Sequence, residues 1–506
     1  MAFTAISFML SVVVVVLILT GLSLDHIAIV ILISWITSIV LSLIIYAQNK
    51  TSSMKMPWII LMLAIPFVGL IVYLLIGLNG GTRKMKKRYR EIDERLIPVL
   101  TRKGDEAVVA SLRNMDSQAV GISEYIRRSS GYPLWNNTDV EYFDSANRSL
   151  ERQLEDFENA RDFIFMEYHA IEDKISWAAI EKVLVKKVNE GVEVRVFYDD
   201  MGSISFITMD FVGRMEELGI QCRAFNPLAP GLNMFLNNRD HRKLTVIDGR
   251  IGYTGSYNLA DKYFGITHPY GEWRDCGIRL QGDAVKSLTV TFLEMWNAAK
   301  PRKKYSFDTD LEKYLPDHPY ESKGDTFIQP YGDSPMDRER VGENVYISMI
   351  EKAERYCYFV SPYLILTDEM THAISLAAKR GVDVRILTPG IPDKKIVYGV
   401  TRSFYHPLVI NGVRIFEWTP GFCHCKLCVV DDRMSVCGTI NLDYRSLYHH
   451  FENACWIYDA DIAVRIREDI ESLLAQSREV TFKYGGDRNP GLRLGQLFLR
   501  LFAELL

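Results

Sequence analysis

The chain has 506 residues and a formal net charge of -4, with 59 Lys and Arg against 63 Asp and Glu. That length accommodates two or three domains with real cores, at roughly 100–200 residues each, and the missing basic excess argues against a nucleic-acid binder. Apolar residues are unevenly placed, since Asp25, Lys50 and Lys55 are the only Asp, Glu, Lys or Arg among the first 80 positions.

Three apolar stretches open the chain, about Ala5–Leu24, Ile27–Tyr46 and Met56–Leu78. Each approaches the roughly 20 residues that a helix needs to cross a bilayer, and a helix satisfies its own backbone there. No Lys or Arg precedes the first stretch, which argues against a signal peptide. Only Asp25 and His26 separate the first two stretches, so the expectation is two or three transmembrane helices over 1–80. Arg83, Lys84, Lys86, Lys87, Arg88 and Arg90 follow the last one. By the positive-inside rule the remainder lies in the cytoplasm. This cluster also suits anionic lipid headgroups at roughly 1 kcal/mol per residue, although topology alone accounts for it. A basic juxtamembrane linker is expected over 81–130.

Beyond it, strands and helices alternate. Phe163–Tyr168 is an apolar strand, Glu181–Glu190 a helix, Val192–Tyr198 a strand, and Phe211–Leu218 a helix ending at Gly219. Lys243–Ile247 and Ile251–Thr254 are strands joined by a turn at Asp248-Gly249. The order then returns. Tyr356–Val360 is a strand, Met370–Lys379 a helix, Val382–Leu387 a strand and Phe404–Ile410 a helix, followed by strands at Lys426–Val430 and Met434–Val436. Gly191-Val-Glu-Val-Arg195 matches Gly381-Val-Asp-Val-Arg385, so an α/β unit has been used twice. The expected units are 131–300 and 324–506, with a Pro-bearing charged linker over 301–323.

The chemistry falls at matching points. His241-Arg-Lys243-Leu-Thr-Val-Ile-Asp248 and His424-Cys-Lys426-Leu-Cys-Val-Val-Asp431 both read H-x-K-x-x-x-x-D. Each is followed by a glycine turn and an asparagine, Gly255-Ser-Tyr-Asn258 and Gly438-Thr-Ile-Asn441. A lone His-x-Lys is usually a surface accident; two copies in register are not. On a strand, His and Lys at i and i+2 share a face. Asp248 and Asp431, an odd number of positions on, face away, which implies a structural role at the turn. Another acid must then orient each imidazole, and Asp275 and Glu452 are the candidates. Two His, two Lys and two Asn suit phosphoryl-centre chemistry. One imidazole attacks phosphorus, the other acts as acid and base, and the lysines and asparagines serve the non-bridging oxygens. The lysines do the neutralising, so no metal or other cofactor is expected.

These residues resemble the phospholipase D superfamily, named for its doubled HKD motif, and more closely the bacterial cardiolipin synthases. Tyr198–Ser203, Asn237–His241, Pro392–Lys395 and Asn441–Ser446 carry the likeness, with the hydrophobic N-terminus. The resemblance implies two tandem phospholipase D-like α/β domains sharing one active site, preceded by transmembrane helices. It implies a phosphatidyltransferase of the bacterial cell membrane that joins two phosphatidylglycerol molecules into cardiolipin and glycerol through a phosphohistidine. Carried over, His241, Lys243, Asp248, His424, Lys426 and Asp431 form the catalytic set, with Asn258, Asp275, Asn441 and Glu452 in support; the likeness favours His241 as nucleophile. Phosphatidylglycerol and anionic membrane lipid are the implied partners, with no nucleic acid. A hydrolytic phospholipase D, or another phosphatidyltransferase of the same superfamily, would use the same motifs.

Cys425 departs from the family, which has a small apolar residue there more often. The run Cys423-His-Cys425-Lys-Leu-Cys428 invites a zinc reading. Strand alternation turns both thiols from His424, and a compact zinc site usually needs a second ligand pair, so buried thiols are expected. All eight cysteines follow residue 200, without a secreted disulfide spacing. Leu494, Leu497, Phe498, Leu501, Phe502 and Leu505 are spaced as one face of a C-terminal amphipathic helix.

Overall fold

The computed structural model describes residues 24–48, 51–77, 83–102, 104–227, 238–299, 311–317, 319–337 and 339–486, with a few isolated positions beyond. The chain forms two compact units, Met1–Gly80 with Leu497–Leu506, and Gly81–Gln496. The first apolar stretch and the apolar face of the C-terminal helix lie outside the described residues.

In the smaller unit, Leu24–Tyr46 is one helix of 23 residues. At 1.5 Å per residue it is about 34 Å long, enough to cross a bilayer core. Its Ala28–Tyr46 portion is the one span among the described residues that is both long and apolar enough to cross. Most of its surface is bare aliphatic side chain, as at Leu32, Ile36 and Leu43. The stretch read as a third continuous helix is instead broken. Helix Ser52–Ala64 ends at Ile65, and Pro66–Val72 restarts before a π turn over Tyr73–Gly77. Pro66 lacks an N–H and would clash with the carbonyl one turn back, which ends the first segment. The pieces fold back on Leu24–Tyr46: Ser38 Oγ donates to Pro66 O at 3.2 Å, and Trp58 packs edge-on to Tyr73 at 5.3 Å.

The larger unit begins with the basic cluster, which forms the helix Arg83–Leu96. Tyr89, Ile92 and Leu96 are buried on one face. Arg88 donates to the Asn297 carbonyl at 2.8 Å, and the Tyr89 ring stacks on Phe451 at 4.8 Å. Helices Asp105–Met115 and Ser117–Ser130 continue it.

The strands of the first half are β1 Thr138–Phe143, β2 Phe163–Tyr168, β3 Glu193–Asp199, β4 Gln221–Phe225, β5 Arg239–Asp240, β6 Lys243–Ile247, β7 Ile251–Gly255, β8 Glu272–Arg274 and β9 Gly277–Gly282. Those of the second are β10 Phe327–Asp333, β11 Tyr356–Val360, β12 Asp383–Pro389, β13 Arg414–Trp418, β14 Gly421–Cys423, β15 Leu427–Val430, β16 Met434–Gly438, β17 His450–Tyr458 and β18 Ser477–Glu479. One sheet runs β1-β9-β7-β6-β2-β3-β4 and the other β10-β17-β16-β15-β11-β12-β13-β18. Apart from β18 the two orders match strand for strand, so the repeat seen in the sequence is a duplicated topology. In both, the inner strands (β2 and β11) pair parallel to the next and antiparallel to the HKD strand. The inner strands are buried on both faces, which is why they read as continuous apolar runs.

Two short parallel ladders tie the halves together. β5 pairs with the start of β17, and β14 pairs with β8. Helix Val285–Ala298, buried on nearly every face, packs on β6 of one half and β10 of the other.

Candidate active site

Each ladder delivers a histidine from one half to an acid from the other. β5 ends at Asp240, and the His241 N–H then donates to Phe451 O at 2.9 Å. β14 ends at Cys423, and the His424 N–H donates to Arg274 O at 2.7 Å. The residue after each acceptor is the acid. His241 Nδ1 therefore lies 2.9 Å from Glu452, and His424 Nδ1 lies 2.9 Å from Asp275. An imidazole nitrogen facing a carboxylate donates to it, so Nδ1 carries the proton and Nε2 keeps its lone pair. Both expected acids are present, and each serves the histidine of the opposite half.

The turn motifs hold those acids. Ser256, after Gly255, donates Oγ–H to Asp275, and Thr439, after Gly438, donates to Glu452. Trp273 Nε1 adds a second bond to Asp275 at 2.6 Å, and Ser446 Oγ a second to Glu452. The glycines are needed for close approach: a Cβ at Gly255 would sit 2.5 Å from Cys276 O, and one at Gly438 2.5 Å from Asn453 O.

Lys243 and Lys426 are buried, and each turns its ammonium onto the carbonyl of its own histidine. Burial, then the nearby Lys426, brings Lys243 down to about 7, although Glu452 pulls it up. Burial likewise lowers Lys426. His241 is held well below the usual imidazole range by burial and by Lys243, Lys426, His424 and Lys394. His424 falls to about 4 through burial and Lys426, against the pull of Asp275. Burial pushes Asp275 up, but His424, Lys426 and Ser256 more than reverse it. Two neutral imidazoles thus sit beside two buried lysines that feel Asp275 and Glu452 but make no ion pair among the described residues, an environment that a phosphodiester completes.

Asp248 and Asp431 are not with them. Asp248 accepts the N–H groups of Arg161, Asp162 and Phe163 at 2.9, 2.7 and 2.8 Å. Asp431 accepts those of Glu354, Arg355 and Tyr356, each at 2.8 Å. Both occupy left-handed backbone, φ 53° and 56°, and anchor the entry to the inner strand. Their inclusion in the catalytic set is corrected to the turn role that strand parity implied. The asparagines are less open than expected: Asn258 spends Oδ1 on the Ala170 N–H and an Nδ2 hydrogen on Tyr263 Oη, while Asn441 is buried with Oδ1 unpartnered.

The surroundings differ between halves. The His241 ring lies 5.0 Å from His169 and 5.3 Å from His450, neither foreseen from the sequence. The His424 ring lies 5.5 Å from Trp273, 5.5 Å from Tyr263 and 5.9 Å from Phe422. Between His and Lys, Arg242 is buried against Glu294 at 3.0 Å, whereas Cys425 sits in a thiol cluster with its Sγ 3.7 Å from Arg274 O. All eight cysteines are free and buried. Among the described residues the one group with metal-ligand spacing is His241, His450 and Glu452, within 4.8 Å of one another, and not the cysteine run.

A duplicated α/β topology with one histidine–lysine pair from each copy defines a phospholipase D-type enzyme. The model of the cardiolipin synthase, PLD-like domain matches residues 154–296 and 346–474, and that of the phospholipase D-nuclease N-terminal region matches 27–77. An uncharacterized protein of Streptococcus mutans is 38% identical over 92% of this chain and 98% of its own. A cardiolipin synthase of Oceanobacillus iheyensis is 31% identical over 92% of this chain and 96% of its own. The crystal structure of a phosphatidylserine synthase of Haemophilus influenzae shares the fold, with a TM-score of 0.57 at 14% identity, over 76% of this chain and 97% of that one. The chain belongs to the bacterial cardiolipin synthase family of the phospholipase D superfamily, and it is a phosphatidyltransferase.

Proposed function

We propose that the protein joins two phosphatidylglycerol molecules into cardiolipin and free glycerol, at a membrane-anchored site on the cytoplasmic face. One observation carries the reading: the two histidines, each held by an acid from the other half, make one site from two motifs.

Nε2 of one imidazole attacks the donor phosphorus, forming a P–N bond as the bond to the glycerol oxygen breaks. The resemblance favours His241 for this step. The other imidazole, protonated once the phosphodiester's charge lies beside it, gives its proton to the departing glycerol. It then takes the proton of a terminal hydroxyl on a second phosphatidylglycerol, whose oxygen closes on phosphorus as the P–N bond breaks. Lys243 and Lys426 stabilise the non-bridging oxygens throughout. Glu452 and Asp275 fix the tautomers that leave Nε2 free to react.

Helix Leu24–Tyr46 and the broken segment Ser52–Gly77 support a multi-pass anchor, and the charges of Arg83–Arg90 support a cytoplasmic catalytic unit. The two sheets support the division at about 301–323.

The test is product analysis by mass, with the full-length protein in phosphatidylglycerol vesicles. Cardiolipin and glycerol are expected in equal amounts. Added glycerol should drive the reaction backward, because one phosphodiester replaces another. Phosphatidic acid as the dominant product, indifferent to glycerol, would leave a hydrolytic phospholipase D.

A further inference from the structure

The two ladders that deliver the histidines correspond position by position. Two residues before His241 stands Arg239, and its register partner on β17 is His450, two residues before Glu452. Two residues before His424 stands Phe422, and its register partner on β8 is Trp273, two residues before Asp275. Alternation places each of these on the same strand face as the histidine or acid that follows it. The Phe422–Trp273 pair is complete in itself, with ring centroids 4.8 Å apart. The Arg239–His450 pair is not.

Arg239 is 6% exposed, and its Nη1 has no hydrogen-bond partner. Both ring nitrogens of His450 are also unpartnered, Nδ1 lying 3.6 Å from Glu452 Oε1, beyond hydrogen-bond length. Polar atoms are costly to leave open in a buried place unless a ligand takes them, and the donors here are the Arg239 Nη1 and the one N–H of a neutral His450. A buried guanidinium with an open Nη1, which meets the charge of Asp199 without a close ion pair and stands in register with an imidazole 5.3 Å from the His241 ring, has the chemistry of a phosphate site.

We infer that Arg239 and His450 form a second anion subsite, which holds the phosphodiester of the acceptor lipid while the donor's phosphorus lies between His241 and His424. This rests on the phosphatidyl-transfer reading. The reaction needs such a place. Its two lipids carry one phosphate each, and only one of these is attacked. The other must be held a glycerol's length from the reacting centre, so that its hydroxyl reaches phosphorus. Water or free glycerol, as acceptor, brings no phosphate and makes no use of the subsite. The wing therefore selects an anionic lipid acceptor over small neutral ones, whereas the cation against the aromatic wing, Lys262, stands over the Trp273 ring at 4.7 Å.

The experiment compares two reactions of the same enzyme in vesicles of phosphatidylglycerol diluted in phosphatidylcholine. Cardiolipin formation uses a phosphate-bearing acceptor. Exchange of labelled glycerol into phosphatidylglycerol uses a neutral one. Arg239→Gln should lower cardiolipin formation by at least about tenfold, as expected for a lost charge-assisted bond, and should raise the half-saturating phosphatidylglycerol fraction. Glycerol exchange should fall by less than about threefold, and Arg239→Lys should recover part of the synthesis. If Arg239→Gln does not fold, as judged by thermal unfolding, His450→Asn carries the same two readouts. Equal losses in both reactions, or a loss in neither, would overturn the subsite. A wild-type enzyme that makes no cardiolipin would instead overturn the reading beneath it.

Discussion

The two halves share a topology and a motif, yet they surround their histidines with different matter. His241 is set among His169, His450, Arg239 and the buried Arg242–Glu294 pair; His424 is set among Trp273, Tyr263, Phe422 and thiols. What the halves keep in common is the part that must be symmetric about a phosphorus atom: histidine, lysine, crossed acid, and the hydroxyl that holds the acid. What they vary includes the residue pair two positions outward along each ladder. A duplicated fold can thus serve an asymmetric reaction, in which donor and acceptor have different jobs, by conserving the centre and diverging at its flanks.

The shared centre gives the largest expected effects. His241→Ala and His424→Ala should each lower turnover by about 10⁴-fold or more while the protein stays folded; near-normal activity in either would break the two-motif site. Glu452→Gln and Asp275→Asn should cost about 10²–10⁴-fold in kcat, because the wrong tautomer is then held. A loss from only one of them would mean that the halves differ at the centre as well as at the flanks.

The buried lysine gives a pH effect of intermediate size. Lys243, pushed down to about 7, is charged below that pH and loses its proton above it. His424, lowered to about 4, is neutral across this range in the free enzyme. The profile of kcat/KM should therefore fall on its alkaline side from about pH 7, roughly tenfold per unit, rather than near the ordinary lysine value. Lys243→Arg should move that limb upward whatever its absolute rate. A limb that stays in place would assign the titration elsewhere.

Asp248→Ala and Asp431→Ala test the third letter of each motif. Each leaves three backbone N–H groups without their acceptor, so a stability loss of about 1–3 kcal/mol is expected, read by denaturant unfolding, with activity per folded molecule largely kept. Loss of turnover at unchanged stability would return these acids to the chemistry. Replacing Cys423 and Cys425 by Ala should change activity by less than about threefold, since the two Ala changes leave the His424–Asp275 bond in place. Chelators should have no effect. Inactivation by a chelator, reversed by zinc, would point to His241, His450 and Glu452, because these are the residues with ligand spacing.

Much of this was legible in the sequence, for definable reasons. The inner strands Phe163–Tyr168 and Tyr356–Val360 carry unbroken apolar runs and match their expected bounds. Strands β1, β4, β9, β10, β13 and β17 were missed, with the short β5, β8, β14 and β18. β17 shows why: His450, Glu452 and Asn453 interrupt its apolar pattern for the sake of the site. Parity along the strand separated Asp248 and Asp431 from the reacting groups. The crossing of the acids was not legible, because it depends on two short ladders between segments far apart in the chain. Arg239 and His450 were missed as well, though a signal existed: each stands two residues before a residue already singled out. The break at Ile65 was signalled by Pro66 inside an apolar run and was outweighed there by hydropathy.

The crossed acids are the centre of the account, and the Nδ1 protons of the two imidazoles report on them directly. In protein labelled with ¹⁵N at histidine, the low-field proton spectrum should contain one strongly hydrogen-bonded imidazole N–H assigned to His241 and another assigned to His424, each identified by its loss in the matching His→Ala variant. Glu452→Gln should remove or shift the His241 signal and leave that of His424, while Asp275→Asn should do the reverse. If Glu452→Gln instead removes the His424 signal and spares His241, each half serves its own histidine, and the single site woven from both halves is wrong.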